Sequence, residues 1–324
     1  MDNKDGSQRR PLALLSDVHG WAFWQNMDDL AITVADEYDP RHVVLVDSWA
    51  GGKPPTFTNG DVVFRCYHRS EGVWSLDHVL PWKSTLGSLR SSWFWPENRQ
   101  PPGQREYDLV NRYAGFQVVT QDNYRQLAAH CPNVRLLTNP VRMDRFTPTT
   151  VSDHIVASWN GNARHFNAAG EDVKGFSSIV VPACKAAGIP LISAEYNVPT
   201  GPGRRRQPAE MPAFYAKANV ALIASLYEGS SNSFKEAMAA GLAVITTNCG
   251  DAMETYNQQI DVYGESGLLI VERSVDMFTA ALGLLKADPS YALYMGRINR
   301  QDVKDHWSWD VWKDRYLEFL SLAQ

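Results

Sequence analysis

Short apolar runs alternate with polar stretches of helical length along most of the chain. In the first part the runs are Leu12–Leu15, His42–Val46, Val62–Arg65, Phe116–Thr120 and Val134–Leu137. They are rich in Val and Leu and too short for helices, which predicts strands of a parallel sheet with helical or loop-like crossovers between them. Around "TNPVRMDRFTPTTVSDH" this rhythm gives way to a Pro- and Thr-rich connector that reads as a hinge. A second series follows at His154–Ser158, Pro190–Ala194, Val220–Ala224, Ala243–Thr246 and Leu268–Val271. Helical spacing falls between these runs at Gly175–Ala187, Ser231–Ala240 and Val275–Ala287. No short internal repeat or low-complexity segment interrupts the series. The expected fold class is α/β, with two Rossmann-like, doubly wound domains facing a central cleft. Ligands of such sheets sit at the carboxyl ends of the strands.

Composition narrows the class. The chain has 324 residues, 44% hydrophobic and 21% charged, enough for two globular domains. No apolar run reaches the roughly 20 residues of a membrane span. The charged leader "MDNKDGSQRR" has no apolar core after it, so no signal peptide is expected. Cys66, Cys131, Cys184 and Cys249 lie far apart without metal-type spacing, which suits a reducing, cytoplasmic setting. A net charge of −5 argues against a general nucleic-acid coat.

The densest chemistry lies in "ALIASLYEGSSNSFKEAMAAGLAVITTNCG", which reads strand, loop, helix, Gly turn, strand. Glu228 stands in the loop and Glu236 eight positions on, inside the helix. Between them "GSSNS" puts small polar residues at a helix N-terminus, where they cap and where free backbone N–H groups suit an anion such as phosphate. A capping box with a surface carboxylate is the plainer alternative. Against it stands a small-residue helix between two buried strands, with acids on both sides of the loop.

This run resembles the E-x(7)-E signature of the retaining, nucleotide-sugar-dependent glycosyltransferases of family 4 (glycosyl transferases group 1), which have the GT-B fold. Other stretches are similar to segments of that family in the same order: "LLTNPVRMDRFTP", "DVKGFSSIVVPACKAAG", "MPAFYAKANVALIAS" and "WSWDVWKDRYLEFL". The likeness covers about residues 116–322, and the first hundred residues match only in general layout. It implies an acceptor-side domain at residues 1–150, a nucleotide-sugar domain at 151–303, and a closing helix at 304–324 that crosses back.

What the resemblance implies for single residues follows. Glu236 would accept hydrogen bonds from ribose hydroxyls. Glu228 would hold donor-sugar hydroxyls, and the amides of Gly229, Ser231, Asn232 and Ser233 would face sugar or phosphate. Lys174 would carry the departing diphosphate, with Arg164 as its partner cation. The donor would be a nucleotide-diphosphate sugar, a UDP-sugar in the first instance. Transfer would be metal-independent front-face displacement, with no separate cofactor.

The stretch "LALLSDVHGWAF" raises a competing idea, because S-D-x-H-G after a strand also opens metallophosphoesterase sites. Such a site needs further Asp, Asn and His ligands to hold two cations about 4 Å apart. "NGDVVF" and "NGNARHF" are the nearest stretches and carry none of them, so no metal site is expected. Gly20 then reads as the residue that lets backbone approach the donor phosphate or acceptor, with Asp17 and His19 as acceptor-side candidates. His68, after a first-domain strand, is a candidate contact to the donor sugar.

Acceptor chemistry points to the Pro-rich stretch 81–105, read as a long loop, where Trp93 and Trp95 stand among Lys and Arg. Nine Lys/Arg against five Asp/Glu between Lys83 and Arg145 suit a sugar, a nucleobase or single-stranded DNA. The acceptor is therefore a glycan, a small molecule or modified DNA. A hydroxymethylated DNA base, as in phage DNA glycosyltransferases, is one alternative, and a non-catalytic nucleotide-sugar-binding module is a second.

Overall fold

The computed structural model describes residues 9–16, 22–44, 55–58, 60–65, 80–89, 102–149, 153–195, 203 and 205–323. The chain divides into two compact units, Met1–Asn139 with Trp312–Gln324, and Pro140–Val311. The connector from Pro140 counts with the second unit because Val141 forms a parallel bridge with Ser308 and exchanges backbone hydrogen bonds with Trp307 and Trp309.

The first unit is a parallel six-stranded sheet. Its strands are β1 (Arg10–Ser16), β2 (Tyr38–Val44), β3 (Val62–Arg65), β4 (Thr85–Leu89), β5 (Gly115–Val118) and β6 (Val134–Leu136), in the order β2-β1-β3-β4-β5-β6. Helices α1 (Ala22–Thr33), α2 (Gln104–Arg112) and α3 (Gln121–Ala128) belong to the same unit. Pro40 sits inside β2, which is tolerated because β2 is an edge strand and a missing N–H costs no inner ladder bond there.

β4 corrects the reading of 81–105 as one long loop. Its sequence, TLGSL, carries few apolar residues, yet all five are buried. The polar ones have internal partners: the Thr85 hydroxyl donates to the Pro81 carbonyl at 2.8 Å, and Ser88 to Gln117 Oε1 at 2.9 Å. Gly87 lies under the Phe116 ring, where a Cβ would come within 2.5 Å of it. A strand built from small, satisfied residues leaves little hydrophobic signal.

The second unit repeats the plan with five parallel strands in the order β11-β10-β9-β7-β8. They are β7 (Ala157–Gly161), β8 (Leu191–Glu195), β9 (Val220–Ile223), β10 (Ala243–Thr246) and β11 (Leu268–Ile270). β7 starts three residues later than its apolar run suggests. The helices are α4 (Val181–Ala187), α5 (Met211–Tyr215), α6 (Asn232–Ala239), α7 (Ala252–Tyr263), α8 (Val275–Ala287) and α9 (Pro289–Asp302), and α4 is entered through a π turn at Phe176–Val180. β9 is buried on both faces: Val220 and Leu222 join one apolar cluster, Ala221 and Ile223 the other. The final helix, α10 (Trp309–Ser321), sends Tyr316 and Phe319 into the first unit. There the Tyr316 hydroxyl donates to the Thr138 carbonyl at 2.7 Å, and Phe319 meets Phe64 edge to face.

Counted within each unit, the first five strands run 2-1-3-4-5. The chain therefore changes winding direction between β1 and β3 and again between β7 and β9. In sheets of this kind the crevice at the carboxyl side of that point takes the ligand.

Candidate active site

The residues singled out in the second unit converge at the carboxyl end of its sheet, around β7, β9 and β10. The first device is the turn that carries Lys174. Asp172 accepts backbone N–H groups of Gly175, Ser177 and Ser178 and both serine hydroxyls, at 2.8 to 3.1 Å. Burial alone would raise its pKa, but the hydrogen bonds, led by the Ser178 amide, outweigh burial and hold it below the usual carboxylate range. Gly175 has φ +68°, and a Cβ there would stand 2.5 Å from the Ala224 carbonyl oxygen. Only glycine lets this turn lie against the end of β9. The Leu226 amide donates to the Val173 carbonyl at 2.9 Å, and Arg273 donates to the Ala224 and Asp172 carbonyls.

That docking brings Lys174 to Glu228. The Lys174 ammonium donates to Glu228 Oε1 at 2.5 Å, and the Ser225 hydroxyl donates to the same oxygen at 2.7 Å. The side chains are 24% and 15% exposed, so the pair is held yet reachable. Both bonds go to Oε1, and Oε2 takes no hydrogen bond from the described residues. His165, in the loop after β7, lies within the field of both groups. Burial, and then the Lys174 ammonium, hold its imidazole below the ordinary range, so it is neutral at pH 7.

The loop after Glu228 leads into α6. Ser231 caps the helix by accepting the Phe234 amide. Gly229 packs against Gly250 (φ +57°), where a Cβ would strike the Gly229 carbonyl. Ser230 is tied to a fully buried pair: Lys235 meets Asp251 at 2.8 Å, and Ser230 lies 2.7 Å from Lys235 Nζ and 2.8 Å from Asp251 Oδ2. Lys235 also stands over the Trp307 ring at 4.4 Å. Glu236 is on α6, with its Oε2 at 3.2 Å from the Tyr215 hydroxyl. Asn160, at the end of β7, links to Ser233 Oγ at 3.1 Å.

Glu228, Lys174, Gly229, Ser231, Asn232, Ser233 and Glu236 thus share one end of one sheet. Arg164 lies in the loop after β7 at that end, is exposed, and its guanidinium makes no hydrogen bond or ion pair with a described residue. Gly20, Asp17, His19, His68, Trp93 and Trp95 lie outside the described residues. Part of the basic stretch is engaged locally: Arg112 stacks on Trp82 at 3.9 Å, and Arg142 pairs with Asp144 at 2.7 Å. Sequence reading passed over Tyr215, Asn160, His165, Ser225 and Lys235. No local signal marked Lys235, because its helix, NSFKEAMA, is half polar and a lysine there reads as part of a solvated face. Among the described residues no group of three or more His, Cys, Asp or Glu is placed to hold a metal ion. No helix among them is long and apolar enough to cross a membrane.

Comparison with known proteins places this geometry. Residues 175–288 match the family "Glycosyl transferases group 1". A GDP-mannose-dependent α-(1-6)-phosphatidylinositol monomannoside mannosyltransferase of Mycobacterium tuberculosis (strain ATCC 25618 / H37Rv) is 33% identical over 118 residues, 34% of this chain and 29% of the relative. The MMP α-(1→4)-mannosyltransferase of Mycolicibacterium hassiacum is 35% identical over 100 residues, 31% of this chain and 23% of the relative. The matches therefore span under a third of these relatives' length. Among solved structures, sucrose-phosphate synthase from Thermosynechococcus elongatus superposes with a TM-score of 0.68 at 16% identity, covering 96% of this chain and 98% of that one. Anabaena HepE in complex with UDP and glucose gives 0.68 at 12% identity, covering 97% and 100%.

Proposed function

We propose that this chain is a GT-B glycosyltransferase of the group 1, family-4-like kind that moves a sugar from a nucleotide-diphosphate donor to a hydroxyl acceptor with retention at the anomeric carbon. The observation that carries the reading is the Lys174–Glu228–Ser225 cluster beside the start of α6, at the winding switch of the second sheet. The N-terminal amides of α6 suit a phosphate. Lys174 supplies a cation for the charge that grows on the leaving diphosphate, and Arg164 is the second cation on the same side. Two cations that share a phosphate need not touch each other. Glu228 Oε2 holds a hydroxyl of the donor sugar, and Glu236 holds the ribose.

In the transfer step the bond from the anomeric carbon to the diphosphate oxygen breaks and the acceptor oxygen bonds that carbon on the same face. The acceptor's proton passes to the departing phosphate oxygen. This balance needs no protein base and no metal ion. For the donor base, the Mycobacterium tuberculosis relative is named for GDP-mannose and the HepE structure for UDP. Given the higher identity of the former, a GDP-sugar stands beside the UDP-sugar first expected.

The test is calorimetric titration of the full chain with GDP and UDP in EDTA, followed by transfer assays with the matching mannose and glucose donors. Saturable binding of one nucleotide that is weakened in Glu236→Ala, with sugar release slowed in Lys174→Ala, supports the reading. Absence of binding by either nucleotide overturns it.

A further inference from the structure

The phenol of Tyr215 is 1% exposed and its ring packs in the core against Phe146 and Phe214. Its hydroxyl, however, meets oxygens from three places: Asn160 Oδ1 at 2.9 Å, Glu236 Oε2 at 3.2 Å and the Ser233 carbonyl at 3.3 Å. Asn160 in turn reaches Ser233 Oγ through Nδ2 at 3.1 Å. A hydroxyl has one proton and cannot serve three acceptors. An ionised carboxylate is the strongest of them, so the proton goes to Glu236.

The Asn160 amide can take either orientation at the same heavy-atom positions. With the phenol proton committed to Glu236, the consistent choice turns the amide N–H toward the phenol oxygen and its carbonyl toward the Ser233 hydroxyl. The protons then all point one way, from Ser233 to Asn160 to Tyr215 to Glu236. Burial and the Glu236 charge raise the phenol's pKa well above its ordinary value, so the donor keeps its proton across the working range.

We propose that Tyr215 is a positioning residue that orients the Glu236 carboxylate and thereby sets a preference for ribonucleotide over 2′-deoxyribonucleotide donors. This rests on the reading of Glu236 as the group that holds the ribose. A phenol that merely fills the core would support nucleotides with and without the 2′-hydroxyl equally. A phenol that aims a carboxylate at the ribose hydroxyls would separate them.

The experiment titrates the full chain with GDP, UDP and their 2′-deoxy forms, in the parent protein, Tyr215→Phe, Asn160→Ala and Glu236→Gln, with the melting temperature of each recorded. Tyr215→Phe keeps the ring in the core and removes one oxygen. The expected result is that it weakens the ribonucleotide about tenfold, the scale of one hydrogen bond to a charged group, and leaves the deoxy form nearly unchanged. Asn160→Ala, which breaks the chain one step earlier, shifts the ratio in the same direction by less. If Glu236→Gln erases the ribose preference while Tyr215→Phe and Asn160→Ala leave it intact, Tyr215 is only a core residue and the proposal is overturned. If the parent protein shows no ribose preference, or Glu236→Gln leaves one untouched, the role of Glu236 itself fails and the proposal falls with it.

Discussion

Among the described residues of the second unit, two lysine–carboxylate pairs have similar length and opposite exposure. Lys174 and Glu228 meet at 2.5 Å with side chains 24% and 15% exposed, whereas Lys235 and Asp251 meet at 2.8 Å at 1% and 3%. Both touch the connection from β9 into α6, one at Glu228 and one through Ser230. The reachable pair can trade its internal partner for a ligand, because water and phosphate can replace what Lys174 gives up. The sealed pair cannot, since an ammonium left alone there would have no solvent. Burial therefore splits two chemically equal pairs into a reachable pair and a fixed post that holds the loop.

The sealed pair is where breakage costs most. Lys235→Ala is expected to lower stability by about 3–5 kcal/mol, the usual cost of leaving one buried charge alone, read by urea unfolding. Replacing both members together, Lys235→Met with Asp251→Leu, should restore most of that loss. A single variant as damaging as the double one would mean that the pair is not the source of the loss.

Lys174→Ala should do the reverse. Its melting temperature stays close to that of the parent, while turnover drops by roughly 10² to 10³, the scale of removing one preorganised transition-state charge. Single-turnover kinetics at saturating donor isolate that step.

A finer separation comes from Glu228→Gln. If Lys174 takes the donor diphosphate as proposed, Glu228 competes with it in the resting protein, so neutralising Glu228 frees the ammonium. Free nucleoside diphosphate should bind tighter, by up to about fivefold for a pair of this exposure, although sugar transfer slows because Oε2 no longer carries a full charge. Weaker diphosphate binding in this variant would show that the pair preorganises Lys174 rather than masking it.

The smallest expected effect is on pH dependence. Asp172, which holds the Lys174 turn, has a folded pKa below its unfolded value near 4. A depressed carboxylate stabilises the fold above that value, and the contribution fades as pH falls through the folded pKa. Asp172→Asn should lower the melting temperature at pH 7 and flatten the acid limb below about pH 4. An unchanged limb would remove Asp172 from the supports of the turn.

Much of this was legible before any coordinates. The apolar runs overlap ten of the eleven described strands, β2 starting four residues before its run; the inner strands are the clearest because strands buried on both faces must be apolar nearly throughout. β4 escaped because small polar residues fill it, and their burial is stable only through partners such as Pro81 and Gln117 that are distant in sequence or hidden by local context. On the site side, the spacing from Glu228 to Glu236 and the Lys174–Gly175 step were visible as a pattern. Tyr215 looked like one more aromatic of an apolar helix, since nothing local tells a buried ring with an idle hydroxyl from one that points at a carboxylate.

The sequence by itself determined the class of fold, the repeat of one strand plan in two units, and the neighbourhood of the acids around α6. Those depend on periodicity and on short-range steric rules, which are properties of consecutive residues. Only the tertiary structure decided that Lys174 pairs with Glu228 across 54 positions, that Lys235 is sealed with Asp251, and that Tyr215 and Asn160 stand behind Glu236. Each of these depends on how far burial lowers the access of water to a charge. That quantity is set by what packs on top of the residue, which the order of the chain alone does not state.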